Sequence, residues 1–187
     1  MALNNDAVVK ISTARFYTLD VEGAVFPSNG QPPAGAEEIG HTPLTDILNM
    51  VTEGGEKTVL GSLQNPELRT AYSPKTNTFN LSILQWDEPG KKLYLGSNAM
   101  TDSAGRVGPA ANPVPTTKAI YILIEDGDNF MDIVLPKAEI LGSGDLSLAD
   151  TESLAALPLA ITPLRKDDNS APYYIGSPKP KGDVSEG

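Results

Sequence analysis

Cysteine is absent from this chain of 187 residues, and histidine occurs once, at His41. Without thiols there is no disulfide, no zinc-thiolate centre and no cysteine nucleophile. A hydrolytic triad would have to rest on His41, and neither a G-x-S-x-G elbow nor an H-E-x-x-H helix accompanies it. A loop histidine is the simpler reading. Basic residues are scarce too: 14 Lys and Arg stand against 24 Asp and Glu, a net charge of −10. That balance disfavours sequence-independent attraction to nucleic acid or an anionic membrane, both of which are held by cations. Lys91-Lys92 and Arg165-Lys166 are isolated doublets without interleaved aromatics, unlike a nucleic-acid stripe. No apolar run is long enough for a membrane span. The start, Met1-Ala-Leu-Asn-Asn-Asp-Ala7, has neither a basic n-region nor an apolar h-region. The expectation is a soluble chain from a reducing cytoplasm, with no membrane anchor.

What is present is strand-forming sequence broken by turns. A hydrophobic content of 40%, with Gly 17 and Pro 16, suits one β-rich domain with long loops or arms. The centre is Lys118–Leu141. Ala119–Ile124 is a continuous apolar run, and Phe130–Leu135 alternates around Asp132. The intervening Asp126-Gly127 is a strong hairpin signal, because Gly accepts the positive φ of a primed turn. Pro136 lacks an N–H, so the return strand is expected to be an edge, to bulge or to break there.

Ala7–Leu19 reads as a first strand. Glu22–Glu38 holds so many Gly and Pro residues that it reads as a long loop. Leu44, Ile47, Leu48 and Val51 fall at helical spacing, with an extended segment as the alternative. Lys57–Leu63 and Leu68–Tyr72 are short half-apolar runs, either strands or the two arms of an extended loop. Thr76–Trp86 alternates, predicting a strand with Phe79, Leu81 and Ile83 inward and Trp86 in the core. Asp87 then caps a short helix, with Glu88 and Pro89 in its first turn and Leu93, Tyr94 and Leu95 on its buried side, reaching about Asn98. Ala99–Pro115 reads as loop and Gly142–Asp145 as a turn, and Asp150–Ala155 as a helical turn or a strand crossing. Leu157–Leu164, with prolines at both ends, reads as an edge strand. Arg165–Gly187 is polar and expected to be a mobile tail in the isolated chain.

The chemistry-bearing patterns are weak. Asp126, Asp128 and Asp132 lack the spacing of an EF-hand loop and fit ordinary turn chemistry. Gly54-Gly55-Glu56-Lys57-Thr58 has Glu56 where a phosphate loop needs Gly before Lys. Carboxylates are plentiful, but nothing selects a catalytic pair. No catalytic residue, cofactor or metal is expected.

Several stretches, taken in order, resemble the major tail protein of long, non-contractile-tailed bacteriophages, with the nearest likeness to phages of actinobacteria. They are Gly40-His41-Thr42, Glu53–Arg69, the strand-helix unit Phe79–Asn98, Phe130–Ile140 with its Leu-Pro, and Pro158–Leu164. The resemblance implies a mainly β fold: a β-sandwich or partial barrel flanked by one short α-helix, with long loops and a C-terminal arm. It implies a tail-tube domain over residues 1–164 and an arm or flexible tail over 165–187. It further implies hexameric rings stacked into a tail tube, a tape-measure protein in the lumen, and tail terminator and tail-tip proteins at the ends. DNA would pass through without specific binding. The protein would sit in the virion tail after assembly in the host bacterial cytoplasm. In such proteins a long loop reaches the adjacent ring. That role falls here on about residues 52–74, with Glu53, Glu56, Lys57, Asn65 and Arg69 as candidate contacts, against the plainer reading of solvated loop residues. Residues 22–35 and the C-terminal segment are further candidate arms. Three other readings compete: a β-sandwich adhesion or carbohydrate-binding module, a tube of a secretion apparatus, and a hydrolase using two carboxylates.

Overall fold

The structure, a computed structural model, describes the chain apart from residues 1–2, 5–6, 46, 147, 149–151, 153 and 183–187. Its centre is the expected hairpin. Strand β9 (Thr116–Asp126) pairs antiparallel with β10 (Asn129–Gly142), from Asn129 opposite Asp126 to Ile140 opposite Thr116. Gly127 turns the chain at φ +58°, a conformation that costs a residue without Cβ little. The register shifts between Leu135 and Ala138, so Pro136 lies in a β-bulge and its missing N–H leaves no gap in the ladder. The bulge also keeps the faces consistent. In a regular strand Lys137 would follow Ile133 and Leu135 inward; the extra residue places Ala138 and Ile140 there instead.

Around this hairpin the main sheet runs β2-β1-β9-β10-β11-β6-β3. Strand β1 is Thr13–Leu19 and β2 is Glu37–Glu38; β3 is Asn49–Gly54, β6 is Lys75–Ile83 and β11 is Leu157–Pro163. The first strand therefore begins at Thr13 rather than Ala7. Leu44–Val51 forms no helix over its described residues. Its second half is extended because β3 pairs with β6, from Asn49 opposite Asn80 to Gly54 opposite Lys75. A short run of four apolar residues fits both periods, and here the sheet partner decides.

Strand β11 is not an edge. It lies between β10 and β6, and both prolines occupy positions where no ladder N–H is required. The Pro158 carbonyl accepts from Ser143 N at 2.9 Å, so its backbone points away from β6 and past the end of β10. Leu164 N donates to Lys137 O at 2.8 Å, which makes Pro163 and Ala138 a pair without mutual hydrogen bonds. The Pro163 nitrogen faces the side where β6 has already diverged.

One face of the sheet carries the main core. Phe16, Phe79, Leu81, Ile83, Ile120, Ile122, Leu135, Ile140, Leu157, Leu159 and Ile161 are all buried in one cluster. Phe79, Leu81 and Ile83 point inward as the alternation requires, while Trp86 is half-buried with its indole N–H donating to Ala155 O at 3.0 Å. On the other face Tyr17, Leu19, Ala119, Tyr121, Leu123 and Phe130 form a second cluster. Residues 22–36 cover it, with Phe26 stacked on Tyr121 at 6.3 Å. The proline-rich stretch is thus largely a cover. Within it, a Cβ at Gly30 would stand 2.7 Å from the Phe130 ring, at φ +77°, so only glycine fits.

The sheet curls. Ile39 N donates to Phe16 O at 2.9 Å and His41 O accepts from Leu84 N at 2.7 Å, so residues 39–41 bridge β1 to the end of β6. No strand ladder completes that bridge, and the fold is mainly β, with a large antiparallel sheet and no closed barrel. The helix α1 (Glu88–Leu95) packs Leu93 and Tyr94 on the main core. Asp87 Oδ1 accepts from Gly90 N at 2.9 Å, the expected cap. Gly96, at φ +105°, stops the helix before Asn98. The loop that follows contains one small two-stranded piece, β7 (Met100–Thr101) with β8 (Val107–Gly108).

The C-terminal segment does not hang free over its described length. Strands β12 (Tyr174–Ile175) and β13 (Lys179–Pro180) pair with β10, opposite Val134 and Ile133 and then opposite Phe130 and Asn129. Pairings this short leave no periodicity in the sequence.

Leu159 is fully buried at the junction of β10, β11 and β6. Leu159→Ala is expected to cost about 2–5 kcal/mol of unfolding free energy in urea titration, as cavity-forming core truncations do.

Candidate assembly surface

From Asn49 to Thr76 every residue is exposed except Gly55, which is half-buried. This stretch holds β3, β4 (Lys57–Leu60) and β5 (Arg69–Tyr72). The last two pair only with each other, from Lys57 opposite Tyr72 to Leu60 opposite Arg69. The result is an arm extending from the β3-β6 edge. A two-stranded hairpin is marginal in water, and this one has no core of its own. It nonetheless carries Val59, Leu60, Leu63, Leu68 and Tyr72, with Leu63 fully exposed.

Both ends of the arm are built. At its base Glu56 N donates to Ser73 Oγ at 2.9 Å, and Ser73 N donates to Glu56 O at 3.0 Å. Gly54 and Gly55 turn at φ +79° and +76°, and a Cβ on Gly54 would meet Pro74 O at 2.2 Å. At its tip Ser62 N donates to Asn65 O at 2.7 Å, and Asn65 N donates back to Ser62 O at 3.2 Å. Asn65 Oδ1 also accepts from Glu67 N at 3.2 Å. Leu63 therefore sits on a hydrogen-bonded turn that holds it outward.

The apolar side chains lie on both faces of the arm. Val59 shares one face with Thr70, Lys57 and Tyr72; Leu60 shares the other with Arg69, Thr58 and Ala71. Neither face is a purely polar, solvent-facing side.

The five candidate residues all fall on or beside this arm, at different heights. Glu53 is in β3 opposite Thr76, Glu56 and Lys57 are at the base, Arg69 is midway and Asn65 is at the tip. Asn65 shapes the turn through its own side chain. Between them lies a set of exposed apolar residues that a reading by charge leaves out. Their sequence signal is a pair of half-apolar strands with no alternation that would bury one face.

The two ends of the sheet differ. Edge strand β2 consists of exposed Glu37 and Glu38, a charged edge that resists pairing. Edge strand β3 begins Asn49-Met50-Val51-Thr52 and lacks such protection. Among the described residues, ion pairs form at Lys92–Glu88, Arg106–Asp102, Lys118–Asp20 and Lys181–Glu125, each at 2.7 Å, and none on the arm. Hydrogen bonding to Lys92 holds the Glu88 carboxyl below the usual range, and the Arg106 backbone N–H does the same for Asp102.

Other sites show little chemistry. His41 is exposed, and its carbonyl makes the bridge to Leu84. Asp126 Oδ2 accepts from Lys10 N at 2.9 Å, while Asp132 is buried beneath the C-terminal segment near Tyr121. Burial, with Asp132 alongside, raises the Tyr121 phenol far above its ordinary value. Among the described residues no group of three or more His, Asp or Glu is placed to hold a metal ion, and no helix is long and apolar enough to cross a membrane. An apolar hollow of about 250 Å³ is lined by Ile11, Phe16, Leu44, Ile47, Ile122 and Ile124 among others.

If Asn65 shapes the tip without supporting the domain, Asn65→Ala should speed amide hydrogen exchange at Glu67 and change global stability by less than about 0.5 kcal/mol, the usual range at exposed sites.

Comparison with known proteins gives the same direction. The family model described as phage tail tube protein matches residues 1–182. The major tail protein Gp23 of Mycobacterium phage D29 is 29% identical over 181 residues, covering 90% of this chain and 90% of its own length. The major tail protein Gp23 of Mycobacterium phage L5 is 29% identical over 184 residues, again covering 90% of each chain. The match over residues 1–182 shows it: the chain belongs to the phage tail tube protein family and is a structural component of the virion tail.

Proposed function

We propose that this subunit assembles into hexameric rings which stack into the tail tube, and that the tube is the conduit for DNA ejection. The observation that carries the reading is the arm at residues 52–74. An ordered hairpin with apolar side chains on both faces and no partner in its own subunit is complete only when another copy covers it. Residues 53, 56, 57, 65 and 69 are the proposed contacts with the adjacent ring. Because every residue between Glu56 and Ser73 is exposed, docking would bury apolar surface at little cost to the β domain.

The net charge of −10 supports a lumen through which DNA passes without specific binding. A tape-measure protein would occupy that lumen during assembly in the host cytoplasm. Tail-tip and tail terminator proteins would start and end the stack. No catalytic turnover and no cofactor enter this function.

Electron microscopy of the purified protein across a concentration series, with light scattering on the same samples, is the direct test. Rings or hollow tubes are expected, alone or once tape-measure and tail-tip proteins are added. A monomer that ignores those partners would overturn the reading. Arg69→Glu reverses a charge at mid-arm, opposite Leu60. It should abolish tubes while circular dichroism and the urea midpoint stay unchanged, and tubes of normal length from this variant would remove the arm from its assigned role.

A further inference from the structure

The edge of β10 between Asn129 and Val134 is covered by the chain's own C-terminal segment, and the covering is shallow. Two residues pair at Tyr174–Ile175 and two at Lys179–Pro180. Between them Gly176 N donates to Asp132 O at 2.8 Å. Tyr174 and Ile175 remain 49% and 55% exposed, so the segment contributes little to either core. Further along, Lys181 N donates to Asp128 O at 2.9 Å and Gly182 N to Asn29 O at 3.1 Å, while the side-chain attachments are Lys181 on Glu125 at 2.7 Å and Lys179 over the Phe130 ring at 4.9 Å. Upstream, Arg165–Asn169 is an exposed polar connection. Tyr173, packed edge-on against Phe79 at 5.4 Å, is the last described side chain of the segment that packs on the main core.

Beneath this strap is a strand whose N–H and C=O groups would otherwise form an unpaired row, the kind of edge to which another strand adds. We infer that the strap is a removable guard: it occupies the β10 edge in the free subunit and leaves it during assembly, which frees that edge to pair with a strand of a second copy of this chain. The inference rests on the tube reading above. A guard of this kind keeps a concentrated pool of subunits from pairing edge to edge before assembly begins. Because the strap is held by backbone pairing more than by buried side chains, release stays within reach of an incoming strand, which regains the same backbone hydrogen bonds.

Gly176 makes the guard adjustable. A Cβ there would stand 1.9 Å from Asp132 Oδ1, and the position is not one of the positive-φ glycines, so a side chain acts through collision alone. Gly176→Val should therefore lift the strap without shortening the chain. In the opposite sense, Asn129 and Pro180 are directly paired and both exposed, and the chain has no cysteine. Asn129→Cys with Pro180→Cys then offers one cross-strand disulfide, within the usual Cα separation for such a bond.

The test compares these variants with wild type in the mixture in which wild type forms tubes, counting tubes by electron microscopy. The oxidised double-cysteine variant is expected to form at least tenfold fewer tubes, and reduction to restore the wild-type yield. Gly176→Val, checked for folding by circular dichroism, is expected to assemble at a lower protein concentration than wild type. An oxidised variant that assembles as readily as its reduced form overturns the inference, since the strap then stays in place in the tube. If wild type forms no tubes with its partners, the tube reading itself fails and this inference falls with it.

Discussion

Backbone pairing along β9 and β10, from Asn129 opposite Asp126 to Ile140 opposite Thr116, fixes the place of every other strand of the main sheet. Strand β9 is buried on both faces from Ala119 to Ile124, so the hairpin belongs to both apolar clusters at once. The bulge at Pro136 and Lys137 divides β10 in two. Its first half carries the C-terminal strap along its outer edge, and its second half carries β11, then β6 and β3. A bulge both bends a strand and changes its inside-outside register, and here it makes one strand serve two neighbourhoods.

That division separates stability from assembly. Apart from Ile39, the described buried hydrophobic residues of the core are in β1, β6, β9, β10 and β11, whereas the arm from residue 56 to 73 is exposed throughout and contributes almost nothing to the core. Changes within the arm can therefore leave the folded subunit intact. The opposite edge, Glu37-Glu38, carries charge that opposes pairing. The subunit thus presents one edge covered by its own C-terminal segment, one charged edge and one uncovered edge.

Much of this was legible in the sequence where local and tertiary preferences agree. The hairpin showed itself through Gly127 between apolar runs, β6 through the alternation of Phe79, Leu81 and Ile83, and α1 through Asp87 and Pro89. Where the reading stayed open or failed, the cause is physical. Leu44, Ile47, Leu48 and Val51 satisfy a helical period, but the pairing of Val51 with Thr78 holds that part extended. Pro158 and Pro163 suggested an edge, yet both sit where an interior strand needs no N–H. The strap leaves no periodicity in the sequence because its ladders are two residues long. Lys57–Leu63 and Leu68–Tyr72 read as strands or the arms of an extended loop, and β4 and β5 do pair there; that Leu60, Leu63 and Tyr72 stay exposed was not legible, because exposure in a single subunit cannot be read from residue type.

The central claim is that the arm is completed only by another subunit. Amide hydrogen exchange compared between the free subunit and assembled tubes tests it most directly. The account predicts strong new protection across residues 57–72, while β9 and β10, already slow to exchange in the free subunit, change little. Arm amides that exchange as fast in the tube as in the free subunit would contradict it.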